Sequence, residues 1–312
     1  MSNILYKAIE KLNNDFSNLD FTYHDIPNSN DKIFYWLGEE NEDIAICVLK
    51  TKYISEGYHK QDYFFFNYAY KNSYQALSQK YNNLITIYED ECYTSQPHCG
   101  YAIKANSNED VIIIGVLIKK ETFFRDYLPI LSNDNSMFHF FLDPQTNKFS
   151  DEFIKLSFKD NLQVRSLLEM MVIEYASKKE DTGAILKPMV LTLLMLIARQ
   201  HKLEQPEIPN ATLSDKILQY INEHSENITL NQIAEHFSYH PNYISSVLHK
   251  DTGKTFSQLL LKKRMNKAVI LLKNTTLSIE EISNMLGYSD TSNFYKAFKD
   301  YYNSSPREYI NS

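Results

Sequence analysis

The spacing of apolar positions changes twice along this 312-residue chain. Residues 1–20 place Ile4, Leu5, Ala8, Ile9 and Leu12 at helical intervals, which predicts a short amphipathic helix. From Phe21 to about Ile118 short apolar runs replace that period: Ile33–Leu37, Ile44–Lys50, Tyr63–Tyr70, Leu84–Tyr88, Tyr101–Ile103 and Val111–Ile118. They are rich in β-branched and aromatic residues and read as strands. Polar clusters, among them Asn28-Ser29-Asn30-Asp31 and Asn106-Ser107-Asn108-Glu109-Asp110, read as the turns between them. Strands this dense with no helices between them predict an antiparallel sandwich or barrel. Helical spacing returns in Glu121–Leu131, Asp151–Ser157, Asn161–Lys178 and Gly183–Lys202. In the last of these Leu186, Met189, Val190, Leu193, Leu194 and Ile197 form a broad apolar face. Such a face is either buried or shared with a second subunit. Two prolines in Glu204–Asn210 break the pattern and mark an interdomain linker.

The last hundred residues repeat themselves. Thr229, Ile233 and Tyr239 recur 49 positions later as Ser278, Ile282 and Tyr288. Ile244, Leu248 and Gly253 recur after 50, as Phe294, Phe298 and Asn303, so the second turn carries one extra residue. Each half reads as a helix, a tight turn and a second helix. Thr229 with Gln232, and Ser278 with Glu281, have the spacing of capping boxes. Pro241 suits a first helical position, and Gly253 a helix end. A helix over about Phe256–Lys273, roughly 26 Å long, joins the halves. Repeated helix-turn-helix units of this kind predict two contacts with DNA.

Composition adds limits. The net charge is −7, but from Thr212 onward 11 Lys+Arg face 10 Asp+Glu, a local +1 that permits DNA binding without demonstrating it. Three cysteines leave at least one unpaired, which points to a reducing cytoplasm. The N-terminal stretch lacks the pattern of a signal peptide. The longest apolar run, Met189–Ala198, falls short of the roughly 20 residues of a membrane span. A soluble chain is expected.

Several segments carry a family resemblance: Ile233-Ala234, Tyr243-Ile244-Ser245, Gly253-Lys254-Thr255-Phe256, Arg264-Met265-Asn266-Lys267-Ala268, Gly287-Tyr288-Ser289-Asp290, Phe294–Lys299 and Ser305-Pro306-Arg307-Glu308-Tyr309. In this order, residues 213–310 resemble the DNA-binding domain of the AraC/XylS family. The order of strands around His59, Pro97-His98 and Val111–Lys119 more loosely resembles the cupin-like sensor domain found in many bacterial regulators. The expected fold is therefore α+β with two domains. A cupin-like antiparallel jelly-roll with following helices covers 1–203, a linker 204–211, and an all-α double helix-turn-helix domain 212–312, with its units at 229–250 and 278–299. Ser283, Leu248 and Asn303 depart from the family's usual Ala, Phe and Gly.

Recognition helices read bases with their N-terminal halves. In the first unit that places Asn242, Ser245, Ser246 and His249 toward DNA; in the second, Thr291, Ser292, Tyr295 and Lys296. Each is either a base contact or a solvated helix residue. His240, Lys250, Lys254, Lys299 and Arg307 are read as phosphate contacts, and Arg264 as an intradomain ion pair or cap. Upstream, one face of the aromatic strand, Tyr63 and Phe65 with Trp36, Tyr58 and His59, either lines a small-molecule pocket or is core. The His-x-His pair of metal-holding cupins is missing, since Lys60-Gln61 follow His59, so no metal or other cofactor is expected. The resemblance implies a cytoplasmic regulator, not an enzyme, which binds promoter DNA and RNA polymerase. It implies an activator answering a small-molecule or environmental signal, with a repressor or an effector-independent regulator as alternatives and a cupin-type enzyme as a remote one. The face from Leu186 to Ile197 would then support a homodimer, intradomain packing being the alternative.

Overall fold

The computed structural model describes residues 2–19, 24–25, 32–78, 83–95, 97, 99–131, 153–204, 212–275 and 277–310. The expected linker, the Asn28–Asp31 cluster and His98 lie outside them. The chain divides into two units, residues 1–127 with 137–204, and residues 128–136 with 205–312.

In the first unit α1 (Asn3–Ser17) starts at Ser2, whose Oγ accepts from Leu5 N at 3.2 Å. It buries Leu5, Ala8, Ile9 and Leu12, four of the five positions its periodicity marks; Ile4 is exposed. Asn13 Oδ1 accepts from Lys50 N at 2.7 Å, which ties the helix to β3 (Ile44–Ser55). Three short strands, β1 (His24–Asp25), β2 (Lys32–Phe34) and β4 (Lys60–Gln61), form a small sheet. The main sheet runs β10 (Phe153–Ser157), β8 (Glu91–Ser95), β5 (Tyr63–Lys71), β9 (Tyr101–Lys119), β6 (Tyr74–Ser78) and β7 (Asn83–Ile87), with β3 also paired to β9. Every pairing in it is antiparallel.

Strand β9 is the hub, and it departs from the sequence expectation. Tyr101–Ile103 and Val111–Ile118 are one strand of 19 residues, not two. Its first part pairs with β6 and its second with β5 along one edge, while β3 follows the other edge. The polar run Asn106–Asp110 is no turn. It lies where the β3 register skips between Thr51 and Tyr53, so it bulges out of a continuous strand. Strands β6 and β8 escaped the hydrophobic pattern, and Asp151–Ser157, expected to be helical, contains β10 instead.

Strand β5 is buried from Tyr63 to Tyr70 on both faces. Phe64 stacks on Phe123 at 3.9 Å, and Phe66 meets Phe158 at 6.3 Å. On the opposite face Phe65 lies 4.7 Å from Tyr101 and 6.1 Å from Tyr93, and Tyr63 is 5.9 Å from Trp36. His59 is wedged between Phe34 (4.9 Å) and Tyr101 (4.8 Å). Burial lowers its pKa, opposed by the backbone bond to Gly57. The expected pocket wall is thus core at Tyr63, Phe65 and His59; Trp36 is half-buried and Tyr58 exposed. Among the described residues, ring contacts occupy Tyr63, Phe65 and His59.

After β9 come α2 (Lys120–Thr122), a π-helical turn Phe123–Tyr127 and α3 (Leu128–Leu131), the last grouped with the second unit. Helices α4 (Leu162–Ala176) and α5 (Thr182–Glu204) complete the first unit. Leu186, Val190, Leu193, Leu194 and Ile197 of α5 are at most 5% exposed within a single chain, and Met189 is half-buried. The face expected to meet a second copy is therefore spent on the unit's own core; Ile185 and Met195 are the large apolar side chains α5 exposes before its last turn. By length and composition α5 also has the dimensions of a membrane span, which run-counting had excluded. Its buried side is the unit's interior. The three cysteines are free thiols.

The second unit contains α6 (Leu213–Glu223), α7 (Leu230–His236), α8 (Pro241–Thr252), α9 (Phe256–Asn274), α10 (Ile279–Met285), α11 (Thr291–Tyr302) and α12 (Pro306–Ile310). The repeat holds in its core. Ile233 and Ile282, Ile244 and Phe294, Leu248 and Phe298 are all fully buried.

Truncating Phe65→Ala opens a void at the centre of the ring stack and should destabilise the protein by about 3–5 kcal/mol in urea unfolding. A cost well under ~1 kcal/mol would instead mean that Phe65 faces an open pocket.

Candidate nucleic-acid interface

Capping fixes where each helix of the repeat begins. Thr229 Oγ1 accepts from Gln232 N at 3.3 Å while Gln232 Oε1 accepts from Thr229 N at 2.8 Å. Ser278 and Glu281 do the same at 3.2 and 2.8 Å. These hydrogen bonds, from the Ser278 backbone first and its hydroxyl second, hold the Glu281 carboxyl below its usual pKa. Both capping boxes match their sequence signatures, and the same reciprocal pattern joins Thr212 with Asp215, Thr255 with Gln258 and Ser305 with Glu308. The second helix of each half is capped differently. His240 Nδ1 accepts from Asn242 N at 3.3 Å, and Asp290 Oδ1 from Ser292 N at 2.5 Å.

The turns repeat too. Tyr239 N donates to Ala234 O (2.8 Å) and Tyr288 N to Ser283 O (3.1 Å), one residue past Ser238 (φ 57°) and Gly287 (φ 77°). Serine suffices in the first turn. Glycine is required in the second, because a Cβ at Gly287 would sit 1.5 Å from Glu226 O. At the far ends of α8 and α11, Gly253 and Asn303 both take the left-handed conformation.

The same Glu226 ties the halves together. Arg264 on α9 donates from Nη2 to Glu226 O (2.8 Å) and from Nε to Ser225 O (3.0 Å), and its guanidinium lies 5.2 Å from the Tyr288 ring centre. Lys267, one turn on, pairs with Glu226 Oε1 at 2.7 Å. Burial pulls both cations below their usual pKa, opposed by Tyr288 and Glu226 at Arg264 and by Glu226 at Lys267. Arg264 is thus an intradomain cap, as its mid-helix position suggested.

With Ile244, Leu248, Phe294 and Phe298 turned inward, the outward faces correspond at an offset of 50. On α8, Asn242, Tyr243, Ser246, His249 and Lys250 are exposed; on α11, Ser292, Asn293, Lys296, Lys299 and Asp300. Of the expected base readers, Asn242, Ser246, His249, Ser292 and Lys296 lie on these faces. Ser245, Thr291 and Tyr295 are half-buried at their edges. Tyr243 and Asn293 were missed, although the 50-residue offset maps one onto the other. Tyr243 pairs with Tyr239 (5.0 Å), and both rings are about half exposed. His240, Lys250, Lys254, Lys299 and Arg307, the expected phosphate contacts, are all exposed. Among the described residues the four Lys and Arg side chains of that set form no salt bridge. The arrangement presents two short polar helix faces carried on one 19-residue helix.

Comparison with known proteins supports this reading of the C-terminal region. Residues 233–312 match the family model described as a helix-turn-helix domain. The Msm operon regulatory protein of Streptococcus mutans is 34% identical over 87 residues, covering 28% of this chain and 31% of that protein. The HTH-type transcriptional activator RhaS of Salmonella schwarzengrund is 28% identical over 148 residues, 47% of this chain and 52% of that one. An uncharacterized HTH-type transcriptional regulator of Bacillus subtilis, YfiF, is 26% identical over 260 residues, 76% of this chain and 82% of its own. The chain thus spans about a third and about half the length of the first two. These relatives are transcription regulators, not enzymes.

Replacing Gly287 by Ala should collide with the Glu226 carbonyl and lower the melting temperature, at a cost of at least about 1–3 kcal/mol. Ser283→Ala should act with the opposite sign. Its hydroxyl is buried without a hydrogen-bond partner among the described residues, so removing it should stabilise by roughly 1 kcal/mol in the same melts.

Proposed function

We propose, from the premise that residues 233–312 are an AraC-type helix-turn-helix domain, that the chain is a sequence-specific regulator of transcription. The observation that carries this is the pair of matched outward faces on α8 and α11, held by one rod and one set of buried hydrogen bonds. At ~1.5 Å per residue α9 is about 28 Å long, close to the ~34 Å between successive major grooves. Asn242 and Asn293 are the side chains suited to bidentate contact with adenine. Lys296 suits guanine or phosphate, while Ser246, Ser292, Tyr243 and His249 complete the reading faces. Ser245, Thr291 and Tyr295 contribute from the edges. His240, Lys250, Lys254, Lys299 and Arg307 take phosphates.

The first unit is then the sensor and dimerisation domain, a cupin-like jelly-roll with helices, acting in the cytoplasm. The regulator is an activator that engages RNA polymerase, a sign supported by the name of the RhaS relative. A homodimer would meet through the outer stripe of α5, with Ile185, Thr192 and Met195, since its inner face is occupied.

On a cognate promoter fragment, Asn293→Ala and Lys296→Ala should each weaken binding by about 1–3 kcal/mol. Lys299→Ala should weaken all sequences alike and flatten the salt dependence by about one phosphate contact. Full affinity in gel shifts for all three would remove α11 from the interface, and a footprint confined to a single groove per monomer would remove the two-helix geometry.

A further inference from the structure

The first unit contains a cavity that the sequence did not mark. It measures about 330 Å³ and opens between the C-terminal half of α1, the Leu37–Glu42 turn and the C-terminal end of α4. At the ~30 Å³ a water molecule occupies in the liquid it holds roughly ten non-hydrogen atoms. Its walls are apolar: Leu12, Phe16, Leu37, Ile46 and Leu117.

The polar end is built around carboxylates. Glu42, of which 13% is exposed, accepts from Tyr175 Oη at 3.0 Å and from Glu39 N at 2.9 Å through one oxygen. Its other oxygen meets Lys178 Nζ at 2.8 Å, and Glu39 meets the same ammonium at 2.6 Å. That ammonium lies 5.5 Å from the centre of the Tyr175 ring. Lys178 thus marks a seat for a cation: two carboxylates and the face of a phenol. Its side chain is 37% exposed, and Glu39, Glu42 and Lys178 also line a second cavity. The other ammonium at the rim, Lys11, donates to Ala176 O at 2.6 Å. Asp15 lines the rim with no ion pair among the described residues. Three carboxylates therefore face two ammonium groups, one of them turned to a backbone carbonyl.

We propose that this cavity binds a cationic amphiphile, an alkyl or aryl ammonium whose apolar part fills the space between α1 and the sheet. Its ammonium displaces Lys178 from Glu39 and Glu42 and adds Asp15. The Leu37–Glu42 turn registers the exchange. Glu39 O accepts from Trp36 Nε1 at 3.0 Å, so the chain's single tryptophan reports on the site. The proposal rests on the sensor role given above to the first unit.

The test titrates the full-length protein with octylammonium chloride, sodium octanoate and 1-octanol, following Trp36 emission and the melting temperature. Octylammonium should saturate both signals with an affinity about tenfold or more above the other two, the value of a charged hydrogen bond. Glu42→Gln should weaken it by about the same factor. Asp15→Asn, at an exposed position, should weaken it severalfold with an unchanged melt of the free protein. Octanoate or octanol binding as tightly, Asp15→Asn without effect, or neither signal responding to octylammonium would each overturn the proposal. Gel shifts with the ligand-free protein separate the two levels. Intact DNA binding alongside any of those results refutes the cavity and leaves the regulator, whereas absent DNA binding refutes the regulator whatever the cavity binds.

Discussion

The backbone carbonyl of Glu226 is where the two halves of the second unit meet. Arg264 and Lys267 reach it and its side chain from the connecting helix α9, and the turn of the second repeat approaches so closely that only glycine fits at 287. Tyr288, the next residue, lays its ring against Arg264. Apolar packing alone would let two short helical motifs slide by fractions of an ångström. Hydrogen bonds from one planar guanidinium to the adjacent carbonyls of Ser225 and Glu226 are directional and do not. Burying two cations costs desolvation, visible in the lowered pKa of both. That cost is offset only when every partner is in place, which is why such a cluster favours a single arrangement.

This cluster explains why the repeats are similar but not equivalent. Tyr239 and Tyr288 occupy the same place in their units, yet Tyr239 is half exposed beside Tyr243 and Tyr288 is committed to Arg264. Ser238 takes the positive φ that Gly287 takes, whereas at 287 Glu226 O stands where a Cβ would go. The extra residue in the second turn falls beside the same cluster.

What could be read from the sequence follows the range of the interaction. Caps and helix stops depend on residues within four positions of one another, and Thr229, Ser278, Gly253 and Asn303 stand as expected. The sheet depends on partners far away in sequence. Strand β8, Glu-Cys-Tyr-Thr-Ser, is buried throughout, so it shows neither alternation nor an apolar run. Strand β10 does alternate, but over five residues, too few to separate it from a helical turn. The bulge at Asn106–Asp110 has a turn's composition and is held extended by β3 on its flank. Aromatic residues misled in the same way: Tyr63 and Phe65 suit a ligand wall, and only the edge-on contact of Tyr63 with Trp36 and the stacking of Phe65 on Tyr93 and Tyr101 commit them to the core. The outward faces of α8 and α11 were legible only in part. Spacing alone does not separate Tyr243 from Ser245 until the depth of Ile244 is known.

On the proposed function, the near-neutral charge of residues 212–312, a net +1, gives the Glu226 cluster a second consequence. A strongly basic domain tolerates misplaced readers, because long-range attraction to phosphate supplies most of its affinity. Here that term is small, and four of the side chains proposed for the bases are short: Asn242 and Ser246 on one helix, Ser292 and Asn293 on the other. Short side chains cannot reach around an error in backbone position as Arg or Lys can. A bidentate amide contact is lost within fractions of an ångström. Discrimination by such residues requires that α8 and α11 be placed by the protein before the DNA arrives. In this unit rigidity has to do what charge does elsewhere, and the buried Arg264, Lys267 and Gly287 are where that rigidity is built.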